Sequence, residues 1–457
     1  MIVIKIYTIL SIVCSIFLAA DLRSDEKNDS AEKTQEKQCD NSSKVKELRS
    51  NLGIRFLFMN DDSAPLVHVR VAFKYSGSAY MERAKCGLPD FYSEAVFCGC
   101  DKYTKVQFKK KLKDIMALGS CYANGDSIVF SITFPKIVLQ EAASLTNAAL
   151  NKPTFEKNEV KRIQDSIVGS LQSYDWNPRG FAECMFLPAI VFKSHPYETY
   201  YGSVENFAML SIDDLRKYKT DYLVVNNAEA CVFGDISENE AKDLLDRIFR
   251  NVPKGVAAKD TVSDTKPLLK AEEKVYYEQS PQSTIVFAMK TERHNSANRY
   301  VAAILNMIFG GGMFKSRIMS ILRSKEGLIY RGGAGIVHMN HVSYITGLLE
   351  TDNSKVKKAI ESIKKIIKDL RKNGITNEDL EFAKSNIKGS ILVGMRTSDD
   401  LCGFYFREML LGNGVTALKD LLDGINNVKL KEVNDLARKI LDENNIPFVI
   451  IAGNKDD

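Results

Sequence analysis

The sequence predicts an α+β chain of two homologous, duplicated domains, each a mainly antiparallel sheet carrying helices. Three observations lead there. Strand-like and helix-like stretches follow one another in the same loose order in residues 48–250 and 275–457. Both halves close on an apolar strand and a turn, "NAEACVFGDI" and "PFVIIAGN". Between them, residues 251–274, "NVPKGVAAKDTVSDTKPLLKAEEK", carry Pro, Gly and mixed charge and read as a linker.

The N-terminus lies outside this pattern. "MIVIKIYTILSIVCSIFLAA" has one early charge, Lys5, then an apolar run ending in Ala19 and Ala20, so residues 1–20 read as a secretory signal peptide. The run also approaches spanning length, which leaves an N-terminal membrane anchor as the alternative. Export to a bacterial periplasm is the expected localisation. Residues 21–47 are polar and nearly free of large apolar groups, and are expected to form a disordered tether.

Within the first half, "LVHVRVAFKY" alternates and is β-branched, a strand. "GLPDFYSEAVF", residues 87–97, reads as a helix started by Gly87 and Pro89. "VQFKKKLKDIMALG" is an amphipathic helix expected to stop at Gly119, and "SIVFSITF" is a second strand. "FEKNEVKRIQDSIVGSLQSYDW" is a long helix with Val160, Ile163, Ile167, Leu171 and Tyr174 on one stripe. "SIDDLRKYKTDYL" is a helix with Ser211 as its N-cap.

The second half repeats the order. "STIVFAMKT" and "SYITGLLET" are strands, and "NRYVAAILNMIFGGG" is a helix ending at Gly310, Gly311 and Gly312. "KVKKAIESIKKIIKDLRKNG" sets Val356, Ile360, Ile363, Ile367 and Leu370 in register before Gly374. "NEDLEFAKSNIKGSILVGM" and "VKLKEVNDLARKIL" are two further helices.

Composition excludes some classes. The chain has 457 residues, 45% apolar and 26% charged, as expected of a globular protein of more than one domain. A net charge of +5 makes nucleic acid a poor partner. Of nine cysteines, Cys14 leaves with a signal peptide. The remaining even count permits disulfides in an exported chain, with Cys98 or Cys100 reaching Cys86 or Cys121; free buried thiols fit equally. There is no CxxC, so a zinc ribbon is unsupported.

Asp90, Ser93 and Glu94 raise the question of function. At i, i+3 and i+4 they share one helix face, the spacing at which zinc peptidases place histidines and a glutamate. Four stretches in order then show a resemblance: "YSGSAYMERAKCGLPDFYSEAVF", "FEKNEVKRIQDSIVGSLQSYDWNP", "HPYETYYGSVENFAMLSIDDLRKY" and "GGGMFKSRIMSILRSKEGLIY". Together they resemble the pitrilysin and mitochondrial-processing-peptidase family, the inverzincins, over roughly residues 50–455. The resemblance implies a fold of the metalloenzyme LuxS/peptidase-like type. It maps the family's H-x-x-E-H onto residues 90–94, with Asp90 and Glu94 at the histidines and Ser93 at the general base. The third ligand maps onto Ser170 or its neighbour Gly169. All four catalytic positions differ, so no catalytic residue, no metal and no cofactor is expected. A hydroxyl has no proton-accepting state near neutral pH to replace the glutamate, and two carboxylates read first as a solvated helix face.

The second-domain element keeps the family pattern at Arg323, Gly327, Leu328 and Tyr330. In two-chain members one subunit holds zinc, and the other lends an Arg/Tyr pair to substrate. The resemblance therefore implies substrate binding by Arg323 and Tyr330, through guanidinium fork geometry and a phenolic donor; the structural alternative is a helix-surface ion pair and a core tyrosine. Gly310–Gly312 serve close backbone approach or a plain helix end. The expected function is a non-catalytic, zinc-free subunit, an inactive metallopeptidase homologue, of a heterodimeric peptidase. Its partners would be a zinc-bearing homologue and a peptide or unfolded protein. The alternatives are a stand-alone homodimeric peptide-binding scaffold, and a hydrolase with a metal site rearranged around Asp90 and Glu94. His338 and His341, in a strand and turn, point apart and are not expected to share a metal. His195 reads as a turn cap, and His68 alternates within a strand.

Overall fold

The computed structural model describes residues 44–453 apart from 102, 173–179, 181, 183–185, 200–201, 278–279 and 281. The expected signal peptide and the tether up to residue 43, together with Tyr174, lie outside the described residues.

The N-terminal half runs β1 (Lys46–Arg49), β2 (Arg55–Asn60), β3 (Leu66–Lys74), α1 (Leu88–Ala95), β4 (Gly99–Cys100), β5 (Tyr103–Thr104), α2 (Lys105–Asp114), β6 (Leu118–Ala123), β7 (Ser127–Pro135), α3 (Leu139–Asn151), α4 (Lys157–Gln172), α5 (Leu187–Val191), α6 (Val204–Met209), α7 (Ile212–Tyr222), β8 (Ala228–Gly234) and α8 (Glu238–Ile248). The C-terminal half runs β9 (Glu272–Tyr277), β10 (Gln282–Lys290), α9 (Arg299–Asn306), β11 (Ile329–His338), β12 (Ser343–Asp352), α10 (Val356–Asn373), α11 (Asn377–Gly394), α12 (Ser398–Leu410), α13 (Ala417–Asn427), α14 (Leu430–Ile440) and β13 (Pro447–Ala452).

Two sheets carry the duplication. Their orders are β1-β2-β8-β3-β7-β6 and β11-β12-β10-β13-β9. Without β1, the first reads β2-β8-β3-β7-β6 and the second, reversed, β9-β13-β10-β12-β11: one topology twice. In each, the opening strand lies parallel to the closing one, β2 to β8 and β9 to β13, and the other pairs are antiparallel.

The central strands β3, β8, β10 and β13 are buried on both faces, and side-chain alternation assigns each face a different cover. From β3 and β8, Val67, Val69, Val71, Phe73, Ala230 and Val232 point into a core shared with α1, α3, α4 and α8. On the opposite face, Ala72, Cys231 and Phe233 meet Leu401, Cys402, Tyr405 and Met409 of α12, a helix of the other half. The C-terminal sheet mirrors this. Ile285, Phe287 and Met289 face α9, α10 and α14, while Val286 and Ala288 meet Leu187, Ile190 and Val191 of α5. By chain order α5 and α12 correspond, so the halves exchange equivalent helices. Each fully buried Leu, Ile, Phe or Met there contributes about 1.5–3 kcal/mol of transfer free energy.

Three expected boundaries move. Lys46 and Glu47, placed in the tether, already pair in β1. The last residues of the expected linker, 272–274, pair with β13. Helix α2 does not run to Gly119: it ends at Asp114, Met116 reverses the chain at φ 53°, and Gly119 lies in β6. The left-handed turn at Met116 does the work assigned to glycine.

Candidate functional site

Helix α1 begins at Gly87 with Pro89 in its first turn, where a missing N–H costs nothing. Its start is tightly packed. A Cβ on Gly87 would meet the Phe207 ring at 2.7 Å, and one on Gly202, at φ 75°, would meet the Gly87 backbone at 2.9 Å. Leu88, Phe91, Tyr92 and Ala95 are buried. The Tyr92 ring lies 5.6 Å from Phe155 and 5.1 Å from Tyr218, its hydroxyl has no hydrogen-bond partner, and burial pushes its phenol well up.

The zinc-equivalent positions sit on facing helices, α1 and α4, held together by Val160, Ile163 and Ile167. Ser93 is buried and donates its hydroxyl to the Asp90 carbonyl at 2.8 Å. Ser170 donates to the Ser166 carbonyl one turn back, also at 2.8 Å. Both hydroxyls are bonded into their own helices. Asp90 and Glu94 are half-buried rather than the solvated face expected of them, because α1 is covered on most sides. A hydrolytic zinc takes about three nitrogen, sulfur or carboxylate donors and a free position for water. Two carboxylates and two back-bonded hydroxyls do not fit that set. Among the described residues no group of three or more His, Cys, Asp or Glu is placed to hold a metal.

The second-domain element is built differently. Helix α9 runs on into a π-helical turn, Met307–Gly311. A Cβ on Gly310 would meet the Ala334 backbone nitrogen at 2.6 Å, so this glycine lets the turn press against β11 rather than merely ending a helix. The buried Asn306 amide donates to the Ala334 carbonyl beside it. A Cβ on Gly312 would meet the Met307 carbonyl at 2.8 Å; Gly311 is less constrained, at 3.2 Å from the Asn306 side chain.

A second π-helical stretch, Ile318–Lys325, carries Arg323. The Arg323 guanidinium stands 5.0 Å above the Phe314 ring, a cation–π contact between two exposed residues. Gly327, at φ 60°, then turns the chain into β11. Register slips between Ile329 and Arg331, which makes Tyr330 the bulged residue. A bulge re-aims a side chain: Tyr330 is 51% exposed, with its hydroxyl donating to Asp352 at 3.3 Å. The core-tyrosine alternative does not hold. Sequence reading missed Phe314; its signal was an aromatic beside the glycine triplet, nine residues before the arginine.

Among the described residues the histidines do not gather into a metal site, although the His294 and His338 rings meet edge to face at 6.2 Å. His68 is buried against the Thr133 hydroxyl at 3.0 Å. His195 caps its turn, accepting from the Tyr197 amide at 3.3 Å. His338 meets Ser343 at 2.7 Å, whereas His341 lies between Asp260 at 2.9 Å and Asp264 at 3.0 Å. The second contact belongs to a clasp unseen in the sequence. The β11–β12 turn reaches the β6–β7 turn of the other half, with the Asn340 amide donating to Asp126 at 3.1 Å. Tyr197 donates to the same carboxylate at 2.6 Å, and Tyr80 to Asp260 at 3.0 Å. The six described cysteines are buried free thiols.

A duplicated two-domain α+β chain, with zinc-peptidase helices in place and their donors replaced, defines the class: a peptidase-fold protein without the peptidase centre. The comparisons name the family. Residues 55–199 match the family described as Insulinase (Peptidase family M16), and residues 210–387 the Peptidase M16 inactive domain. The chain belongs to peptidase family M16, with the donors of the family's zinc site replaced at Asp90, Ser93, Glu94 and Ser170. It is similar to the "Non-peptidase homolog YmxG" of Helicobacter pylori, 22% identical over 86% of this chain and 90% of that protein. It also resembles the "Uncharacterized zinc protease YmxG" of Bacillus subtilis, 26% identical over 64% of this chain and 70% of that one. Among solved structures, a peptidase M16 inactive domain from Pseudomonas fluorescens superposes with TM-score 0.83 at 21% identity, covering 90% of this chain and 97% of that chain. A protease from Helicobacter pylori superposes with TM-score 0.80 at 16% identity, covering 89% and 99%.

Proposed function

We propose that this chain is the non-catalytic subunit of a heterodimeric M16 peptidase, with a fold of the LuxS/peptidase-like type. It would form half of a substrate chamber and hold peptide against the zinc of a partner of similar size that carries an intact H-x-x-E-H. One contrast carries the reading. The hydroxyls at two zinc-site positions, Ser93 and Ser170, are bonded into their own helices. Arg323 and Tyr330, in contrast, are exposed, one stacked on Phe314 and the other turned outward by a bulge. A guanidinium and a phenol so presented supply donors to peptide carbonyls.

The test is isolation of the tagged chain from its native host. The expected result is a co-purifying homologue with H-x-x-E-H, peptidase activity and zinc in the pair, and neither zinc nor activity in this chain alone. Stoichiometric zinc with peptidase activity in the isolated chain would overturn the reading. Recovery as a homodimer would favour the scaffold alternative.

A further inference from the structure

The outer face of α10 is a ridge of lysines that form no ion pair among the described residues. Lys357, Lys365, Lys368 and Lys372 fall at i, i+8, i+11 and i+15, with Lys358 beside them, within a stripe of about 100° on the helix. All five are exposed, while Ile360, Ile363, Ile367 and Leu370 on the other side are buried. Four exposed lysines on other helices pair with an aspartate four residues on, Lys110 with Asp114, Lys161 with Asp165, Lys217 with Asp221 and Lys431 with Asp435. Among the described residues, none of the five ridge lysines has a carboxylate within ion-pair reach. The two acids on the helix stand four residues after ridge lysines, Glu361 after Lys357 within the stripe and Asp369 after Lys365 at its edge, yet among the described residues neither forms an ion pair and Asp369 accepts from Asn373. Lys365 with Lys368, and Lys368 with Lys372, sit at like-charge spacings that cost stability.

The fold does not require this. Helix α3 is the equivalent of α10 in the other half, follows the equivalent hairpin, and contains neither lysine nor arginine: "LQEAASLTNAALN". The ridge is therefore an addition to the architecture. As one face of a helix it is convex, about 22 Å from Lys357 to Lys372 at helical rise, and no aromatic ring is interleaved for base stacking. Such a shape suits a flat anionic surface better than a strand lying in a groove. Residues 1–20 read as a secretory signal peptide, with a membrane anchor as the alternative, and either directs the chain to a membrane.

We infer that the outer face of α10 rests on an anionic phospholipid surface, with Lys357, Lys358, Lys365, Lys368 and Lys372 against the headgroups. This does not depend on the peptidase-subunit reading. A lysine near such a surface is worth about a fivefold change in affinity at low salt, and salt screens the effect within a Debye length of about 8–10 Å.

The test uses the full chain with vesicles of phosphatidylcholine, alone or mixed with phosphatidylglycerol. Binding is read by co-sedimentation, and the contact by protection of lysines from acetylation. Binding to neutral vesicles reports the N-terminal run and serves as the baseline. Phosphatidylglycerol is expected to raise binding, to protect the ridge lysines but not Lys110 or Lys431, and to lose both effects in high salt. The combined Lys365→Gln, Lys368→Gln and Lys372→Gln variant should lose on the order of 100-fold of the lipid-dependent increment. All three positions are exposed, and an unchanged far-ultraviolet spectrum and melting temperature check the fold. No increment with phosphatidylglycerol, or one unchanged in the variant, would overturn the inference. So would ridge protection by polyglutamate but not by the vesicles, which would assign the ridge to an acidic protein.

Discussion

Ser93 shows why this site cannot be returned to zinc chemistry one residue at a time. Its hydroxyl is buried and bonded to the Asp90 carbonyl. A Ser93→Glu change places a carboxylate in that enclosed position without a metal, and is expected to destabilise the chain by about 2–4 kcal/mol in urea unfolding. Gly310→Ala is expected to cost about 1–3 kcal/mol, because the new methyl meets a backbone nitrogen of β11, which cannot swing aside. Gly327→Ala should also destabilise, through its positive φ alone, since nothing lies within 4 Å of the added carbon. The clasp adds a pH signature. Arg293 and His341 beside Asp264 hold its carboxyl down to about 2. A folded value below the unfolded one, near 3.9, stabilises above that pH and loses the contribution as pH falls toward 2. Asp264 is 70% exposed, so solvent screening keeps this under about 1 kcal/mol. The urea midpoints of wild type and Asp264→Asn should therefore differ at neutral pH and converge by about pH 2. Burial pushes the Asp126 carboxyl of the same clasp up, so its ionisation opposes folding as pH rises.

At the scale of elements, Arg323 and Tyr330 separate function from stability. Both are exposed, so Arg323→Ala and Tyr330→Phe should each leave stability within about 0.5 kcal/mol of wild type. In the reconstituted pair they should raise the KM for peptide severalfold; unchanged kinetics would count against a substrate role. Much of this level was legible in the sequence. β3, β7, β10 and β12 showed alternation or β-branched runs, α10 showed a clean stripe, and Ser211 caps α7 through a capping box with Asp214. What was missed had weak local signals. Helix α3 is written in Ala, Ser, Thr and Asn, which fill space beside α8 without a sharp apolar stripe. β6 contains Gly119 and Ser120 and is exposed in its first half, so only Cys121 and Ala123 mark its buried face, too few for a visible alternation. Helix α12 has apolar residues around most of its circumference, because it lies between its own half and the opposite sheet, and this blurs the period used to find surface helices. The π-helical widening at Met307–Gly311 depends on the contact with Ala334, which no local pattern encodes.

At the scale of the molecule, the exchanged helices make the halves one folding unit. Without α12, the N-terminal sheet would expose Leu57, Met59, Val129 and Phe233 together, an apolar face of the kind that drives aggregation. A fragment of residues 44–250 is expected to be insoluble alone and to be rescued by co-expression with residues 251–457, with the full chain melting in a single transition. Two separated transitions, or a monomeric soluble fragment, would show that the exchange is dispensable. The duplication was legible because the closing strands and the order of elements repeat along the chain. The exchange was not, since it joins α5 to β10 and α12 to β8 across long sequence separations.

That exchange also bears on ancestry. Two copies of a half-length chain could complete each other in the same way, each lending one helix to its twin, so the arrangement is that of a domain-swapped dimer whose subunits have been joined end to end. Once joined, the copies no longer need identical sequences to find each other. One can then surrender its chemistry or acquire a charged ridge while still roofing the sheet of its sibling.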